Sequence, residues 1–157
     1  MKLWNKDDIL DKKIEKFTVG NDRINDLYLA KYDVMATIVH AKMLNKIGVL
    51  SSNELESLES ELNQINEDII EGKFEIESNF EDVHSKIESI LTNKLGEIGK
   101  KIHTGRSRND QVLVATQLYL KDEINKIKSL TKELFNVLIG LSETNKDHLL
   151  PGYTHLQ

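Results

Sequence analysis

A single proline, Pro151, interrupts the 157 residues of this chain. Before it, apolar side chains recur mostly three or four positions apart, which is the period of an amphipathic helix and not of a strand. Proline removes a helical hydrogen bond and clashes with the preceding turn, so a chain almost free of it can form long helices. The pattern therefore predicts an all-α fold.

Glycines and capping residues mark where these helices begin and end. After an irregular start, we expect a first helix from about Asn25 to Ile47, stopped by Gly48. One face of this helix is predicted to carry Leu29, Tyr32, Ala36, Val39, Met43 and Ile47. Ser51 and Glu54 form a capping box for a second helix that ends near Gly72. The steps of that helix place Leu55, Leu58, Leu62, Ile65 and Ile69 in the core.

Two further helices follow a loop predicted at residues 73–80. The third carries Val83, Ile87, Ile90 and Leu95 and ends at Gly96. Residues 100–108 are predicted to be a loop that opens a fourth helix, from about Asn109 to Asn145. That helix would be about 55 Å long, and three shorter helices cannot cover it. Partner helices are therefore expected along its apolar side.

Composition narrows the class of function. The chain has 39% hydrophobic and 30% charged residues, a net charge of −5 and no cysteine. An acidic balance gives no general attraction to nucleic acid or anionic membranes. We expect no disulfide framework, no signal peptide and no membrane span. We also expect no metal site, since the histidines lack paired ligand spacing. A cytoplasmic protein of one natural domain fits best.

Residues 99–111, GKKIHTGRSRNDQ, hold two of the three arginines. Arginine presents a planar fork of donors that suits carboxylates and phosphates, and here Arg106 and Arg108 flank Ser107 at a predicted helix N-terminus. We interpret the segment as an anion-binding loop. The alternative is a helix-capping loop in which Ser107 or Asn109 satisfies free amides and the arginines pair with local acids.

The end of the chain, PGYTHLQ at 151–157, is a second dense polar cluster. Taken alone, His155 has a structural interpretation as well as a catalytic one. His84 can cap its helix or pair with Asp82, and His103 can simply line the basic loop. His40 and His148 fall within helical pattern and are interpreted as structural.

Three segments together resemble one known family: EDVH at 81–84, HTGRSRNDQ at 103–111 and PGYTHLQ at 151–157. In order and spacing they are similar to the amino-terminal part of the argininosuccinate lyases, of the fumarase/aspartase superfamily. The resemblance implies β-elimination of argininosuccinate to arginine and fumarate, in arginine biosynthesis, without metal or organic cofactor. It favours this branch over adenylosuccinate lyase or aspartase.

The resemblance also implies site residues. His155 matches the histidine assigned to proton transfer, as base or as acid partner. Matching the substrate contacts are Lys2, Ser107, Arg108, Asn109 and Thr154, and additional site-lining positions are Asp82 and His84. The family's KLWGGRF opening is KLWNKDD here, and Asp22 stands near a serine contact of the family, so that contact is not transferred.

The implied architecture is a small amino-terminal helical domain, 1–108, with the anion-binding loop at 99–108, leading into the first long helix of a central bundle, 109–157. In the superfamily four subunits form that bundle, and each site draws on three chains. The family's catalytic serine loop lies beyond residue 157, so we expect the chain to be a truncated, inactive part of a homotetramer. A noncatalytic structural module, as in the crystallins recruited from this family, and a coiled-coil adaptor are the alternatives.

Overall fold

The computed structural model describes residues 12–149 and 151–155. Within these ranges every regular element is helical, so the all-α prediction is confirmed for the described residues. The helices are α1 (Lys12–Val19), α2 (Asp22–Asn25), α3 (Ala30–Lys46), α4 (Ser52–Ile70), α5 (Val83–Leu95), α6 (Glu97–Lys101) and α7 (Arg108–Asn145), with a 3-10 turn at Asp26–Tyr28. The chain divides into two compact units, 1–119 and 120–157, and each is described by itself.

Helices α3, α4 and α5 form the core of the first unit. Leu58 and Leu62 of α4 and Leu91 of α5 are fully buried, together with Leu44 of α3. Burying a leucine side chain contributes about 1.5–3 kcal/mol each. The apolar residues predicted on α4 and α5 are thus confirmed as part of the core. These packed helices support the loop that follows α6.

The apolar face predicted for the first helix is exposed toward its C-terminal end. Val39 and Ile47 are 66% and 62% exposed. The buried positions of this helix are Ala30, Tyr32, Asp33, Val34, Thr37, Ala41 and Leu44. Apolar side chains occur on both sides of α3, and its buried positions include small and polar residues that a hydrophobicity pattern does not select.

Most helix boundaries follow their local signals. Ser51 accepts from the Glu54 amide while the Glu54 side chain accepts from the Ser51 amide, so the predicted capping box of α4 is confirmed. Helices α5 and α7 lie within one residue of their predicted ranges. The sequence prediction missed α1, α2 and α6, because each is too short for a periodic pattern to develop. His148, predicted within helical pattern, lies beyond α7.

Helix α7 has 38 residues, or about 57 Å at 1.5 Å per residue. Its first three turns, residues 108–119, belong to the first unit, where Gln111 and Ala115 are buried. In the second unit nearly every described residue is exposed, including ten large apolar side chains from Leu120 to Leu141. Among the described residues no helix combines the length and apolar character needed to cross a membrane.

Candidate anion-binding site

The start of α7 is fixed by a capping box between Ser107 and Asp110. The Ser107 amide and hydroxyl both donate to Asp110 Oδ2, each at 2.8 Å, and the Asp110 amide donates to Ser107 Oγ at 3.2 Å. Hydrogen bonds from the Ser107 amide and hydroxyl hold the pKa of Asp110 below its usual value. The amides of Arg108 and Asn109, in the first turn, have no carbonyl four residues back within the helix and are available to an anion.

Arg108 is held by side chains from two helices. Its Nε lies 3.3 Å from Asp82 Oδ2, and its Nη atoms donate to Ser85 Oγ and Gln111 Oε1, each at 3.1 Å. Asp82 is itself fixed as the N-cap of α5, accepting from the Ser85 amide at 2.7 Å. The guanidinium is therefore preorganised, and about a quarter of the Arg108 side chain stays accessible.

Arg106 points to a different set of partners. Its Nη1 donates to Thr37 Oγ1 of α3 at 3.1 Å, and its Nε is buried without a hydrogen-bond partner among the described residues. Burial lowers the pKa of Arg106, while the nearby carboxylate of Asp33 opposes that change. Two arginines that are close together in the motif thus lie in different environments.

His84 forms a buried pair with Asp33. His84 Nδ1 lies 3.0 Å from Asp33 Oδ1, and the two side chains are 2% and 1% exposed. The atoms are at ion-pair distance, but neither is oriented for a hydrogen bond. The expected cap or pairing of His84 with Asp82 is therefore wrong: Asp82 caps α5, while His84 faces α3.

The loop before Ser107 is tied to α3 and α4 as well. His40 Nε2 lies 3.0 Å from the Thr104 carbonyl oxygen, and Lys101 Nζ lies 2.6 Å from Glu54 Oε1. Gly105 has a φ of +69°, a left-handed conformation that side-chain-bearing residues rarely adopt. This turn lets Thr104 and Arg106 reach different residues of the same helix.

A groove of about 610 Å³ lies beside the loop, in the first unit. Polar groups come from His40, Arg106 and Asp110, but the rest of the lining is apolar: Met35, Ala36, Val39, Met43, Gly105, Val114 and Leu118. Burial, and then the positive charge of Arg106, lower the pKa of His40, so this imidazole favours its neutral form. Such a surface does not suit a dicarboxylate, and we do not assign it to the anion site.

Comparison with known proteins supplies the family. A family model described as "Lyase" matches residues 4–157. The chain belongs to this lyase family. Proteins named argininosuccinate lyase from Phocaeicola vulgatus and Bacteroides thetaiotaomicron are each 52% identical to it over 99% of its length. One from Thermotoga neapolitana is 49% identical over 98%. The resemblance predicted from the sequence is thus confirmed.

This member of the lyase family spans about a third of the length of those relatives, 35% for the first two and 39% for the third. Residues that the relatives carry outside the matched part have no counterpart in these 157 residues.

Of the predicted site residues, the structure brings Asp82, Ser107 and Arg108 together with Asn109 at the start of α7. His84 lies in the buried pair with Asp33. Thr154 and His155 belong to the second unit, are exposed, and His155 has a φ of +51°. Lys2 lies outside the described residues.

Sequence reasoning did not select several polar residues around this site, among them Asp33, Thr37, Ser85 and Gln111. Asp26 is another: its Oδ2 accepts from the Val83 amide at 3.1 Å, and burial raises its pKa. Asp33, Thr37 and Ser85 are brought to the site from other helices, so no local motif marks them, whereas Gln111 ends the HTGRSRNDQ segment. Only the polar interruptions of an otherwise apolar face, such as Asp33 and Thr37 on α3, could have served as a signal.

Proposed function

We propose that this chain is the amino-terminal part of an argininosuccinate lyase, which cleaves argininosuccinate to arginine and fumarate by β-elimination. The observation that carries the proposal is the fixed Arg108 guanidinium at the N-terminus of α7, in a chain 52% identical to proteins of that name over 99% of its length. Adenylosuccinate lyase and aspartase, the rivals within the superfamily, are set aside because the relatives from Phocaeicola, Bacteroides and Thermotoga carry the argininosuccinate lyase name.

The chemistry explains why a fixed cation is needed. Removing a proton next to a carboxylate creates a dianionic aci-carboxylate, so positioned donors must stabilise charge that develops in the transition state. We assign this role to Arg108 and to the first-turn amides of α7, with Ser107 and Asn109 as substrate contacts. The contacts of Arg108 with Asp82, Ser85 and Gln111 support a rigid guanidinium. Preorganised donors of this kind need no rearrangement during the reaction.

The remaining roles are assigned by the resemblance. We propose that His155 transfers protons and that Thr154 and Lys2 contact substrate. Asp82 is proposed to act by holding Arg108. His84 is 2% exposed, so its proposed place is behind the site, supporting the residues that line it.

The reaction needs more than this chain. The proposal is a homotetramer in which the long helices associate and each site gathers segments from three subunits, including a serine-bearing loop from the part of the relatives not matched here. Residues 1–108 would form the amino-terminal domain and 109–157 the start of the bundle. We expect the chain alone to be inactive and, from its cysteine-free composition, to belong in the cytoplasm.

A chimeric enzyme tests this. The matched residues of the Bacteroides thetaiotaomicron relative are replaced by this chain, and fumarate release from argininosuccinate is followed. We expect turnover, and we expect His155→Asn and Arg108→Gln to reduce it by at least about a hundredfold, the scale of losing a general acid–base or a charge-stabilising donor. His148→Asn, an exposed histidine outside the motif, is the matched control and should retain activity.

A folded, tetrameric chimera without turnover would contradict the proposal. The exposed apolar residues of α7 would then favour the second candidate, a noncatalytic helical module that serves assembly. Turnover that survives His155→Asn would contradict the role of that histidine while leaving the lyase activity in place.

A further inference from the structure

The two arginines on either side of Ser107 differ in what they can offer a ligand. Arg108 is bonded to polar side chains at the start of α5 and α7 and stays partly accessible. Arg106 turns inward to α3, where its Nη1 reaches Thr37 and its Nε is buried. The geometry therefore gives Arg106 a side-chain contact with α3, while Arg108 is held at the start of α5 and α7.

The receiving surface on α3 is polar and buried. Asp33 and Thr37 are four residues apart, hence on the same side of the helix, and each is 1% exposed. Thr37 accepts from Arg106, and Asp33 attracts the same guanidinium while lying 3.0 Å from His84. Burying polar groups is costly unless they are paired, so an apolar α3 face would be the simpler way to fill a core.

The contact between Arg106 and Thr37 lies next to the start of α7. Arg106 directly precedes Ser107, the N-cap of α7, and follows Gly105 in its left-handed turn. The position of the Arg106 side chain therefore restricts where the Ser107 amide and the Arg108 side chain can lie. The His40 contact fixes only Thr104, on the far side of Gly105.

We propose that Thr37 is a positioning residue for the anion-binding loop, which acts by holding Arg106 as an internal anchor. In this arrangement Arg106 touches no ligand, and Arg108 with the first-turn amides does. The identity of the ligand, a dicarboxylate such as fumarate, rests on the proposed function; the anchoring of the loop does not.

The test uses the 157-residue chain and exploits its three arginines, whose Nε–H signals can be assigned individually by NMR. Wild type, Thr37→Val and Thr37→Ser are titrated with fumarate. Thr131→Val is the matched control, because the Thr131 hydroxyl donates to the Ile127 carbonyl of its own helix. Circular dichroism establishes that each variant is folded.

We expect fumarate to shift the Arg108 Nε–H and the Ser107 and Asn109 amides, and to leave the slowly exchanging Arg106 Nε–H unchanged. Thr37→Val should weaken fumarate binding about fivefold or more, the scale of a lost hydrogen bond to a charged group. It should also speed exchange at Arg106. Thr37→Ser, which keeps the hydroxyl, should restore both properties, and Thr131→Val should match wild type.

Three results overturn the proposal. The first is an Arg106 Nε–H that responds to fumarate as strongly as that of Arg108. The second is unchanged fumarate affinity in Thr37→Val despite a released Arg106. The third is rescue failure, with Thr37→Ser as weak as Thr37→Val.

Failure of the proposed function gives a different pattern. If fumarate shifts no NMR signal of the wild-type chain, the anion site is contradicted. The anchoring of the loop is then tested on the spectra of the ligand-free variants. Displaced Ser107 and Arg108 amides in Thr37→Val, restored in Thr37→Ser, still support the anchor, whereas amides that stay in place refute it. If Thr37→Val does not fold, the proposal is tested by the wild-type chain alone: fumarate should shift the Arg108 Nε–H signal and leave the Arg106 Nε–H signal unchanged.

Discussion

Asp33 and His84 place two ionisable side chains, 1% and 2% exposed, within 3.0 Å of each other. Taking charged groups out of water costs several kcal/mol each, and their mutual attraction offsets this only when the geometry is good. Arg106 adds a third ionisable group beside them. Removing one member leaves the others buried without their partner, so this cluster is where single substitutions have large effects.

Asp33→Asn should therefore destabilise the first unit by about 3 kcal/mol, since a buried pair is broken from one side. Urea unfolding followed by circular dichroism measures the loss. Asp147→Asn, an exposed position beyond α7, is the control and should change stability by only a few tenths of a kcal/mol. Equal stability of the two variants would mean that Asp33 contributes nothing by its charge.

Helix α4 begins at a capping box that is linked to the last residue of α6, Lys101. Hydrogen bonds from the Lys101 ammonium, and then from the Ser51 amide and hydroxyl, lower the pKa of Glu54 from 4.5 to about 2. Because the folded-state pKa lies below the unfolded value, the ionised carboxylate stabilises the fold fully above pH 4.5. That contribution is lost progressively as the pH falls toward 2.

We expect Glu54→Gln to show this dependence directly. The stability difference from wild type should be largest near pH 6, shrink below about pH 4.5 and nearly vanish near pH 2, as proton linkage requires. Unfolding curves across that range measure it. In a Ser51→Ala background the pH dependence should be smaller, and a difference that stays constant down to low pH would refute the assignment.

Helices α5 and α6 meet through Gly99, which is buried. A Cβ at this position would lie 2.6 Å from the Thr92 amide nitrogen and closer still to the Leu91 carbonyl group. Backbone cannot move aside as a flexible side chain can, so Gly99→Ala should cost about 1–3 kcal/mol and shift the loop that follows α6.

Gly140 provides the matched control, because a Cβ there meets nothing within 4 Å within α7. Gly140→Ala should increase helix stability by about 1 kcal/mol. Thermal unfolding and amide exchange of α5 and α7 compare the two variants. If Gly99→Ala leaves the thermal stability unchanged, α6 can move away from α5 at little cost.

The sequence predicted where helices begin and end better than it predicted which side of a helix is buried. Ser51, Gly48 and Gly96 mark helix ends through bonds within a few residues, so local signals suffice there. Which side of α3 is buried depends on α4 and α5, and Val39 and Met43 gave a misleading answer because they are apolar yet exposed. Packing partners decide that choice, and they are distant in sequence.

The candidate site divides in the same way. Ser107, Arg108 and Asp82 were selected from motifs, since the types of residue needed for an anion site stand close together there. Thr37 reaches Arg106 across 69 residues of sequence, and Gln111, although it ends the HTGRSRNDQ segment, is buried in a way that its place in the segment does not indicate. The supporting residues of a site come from the fold as a whole, which is why a linear pattern does not reveal them.

At the scale of the whole molecule, the second unit carries an uncovered apolar stripe. Ile127, Leu130, Leu134, Leu138 and Leu141 recur at helical steps on α7 and are 55–63% exposed. Exposed apolar surface of this extent marks an interaction site, and identical helices from other copies offer the same stripe in return. The proposed tetramer would bury it.

Self-association should therefore depend on the stripe and not on charge alone. We expect wild type to form oligomers by size-exclusion chromatography with light scattering. Leu134→Lys combined with Leu138→Lys should shift it to monomer, since lysine would have to enter the interface. Ser129→Lys with Asn136→Lys adds the same charge about half a turn away, at 100° per residue, and should leave the oligomer intact. A monomeric wild type with α7 still helical would contradict the tetramer, and with it the idea that subunits complete one another's sites.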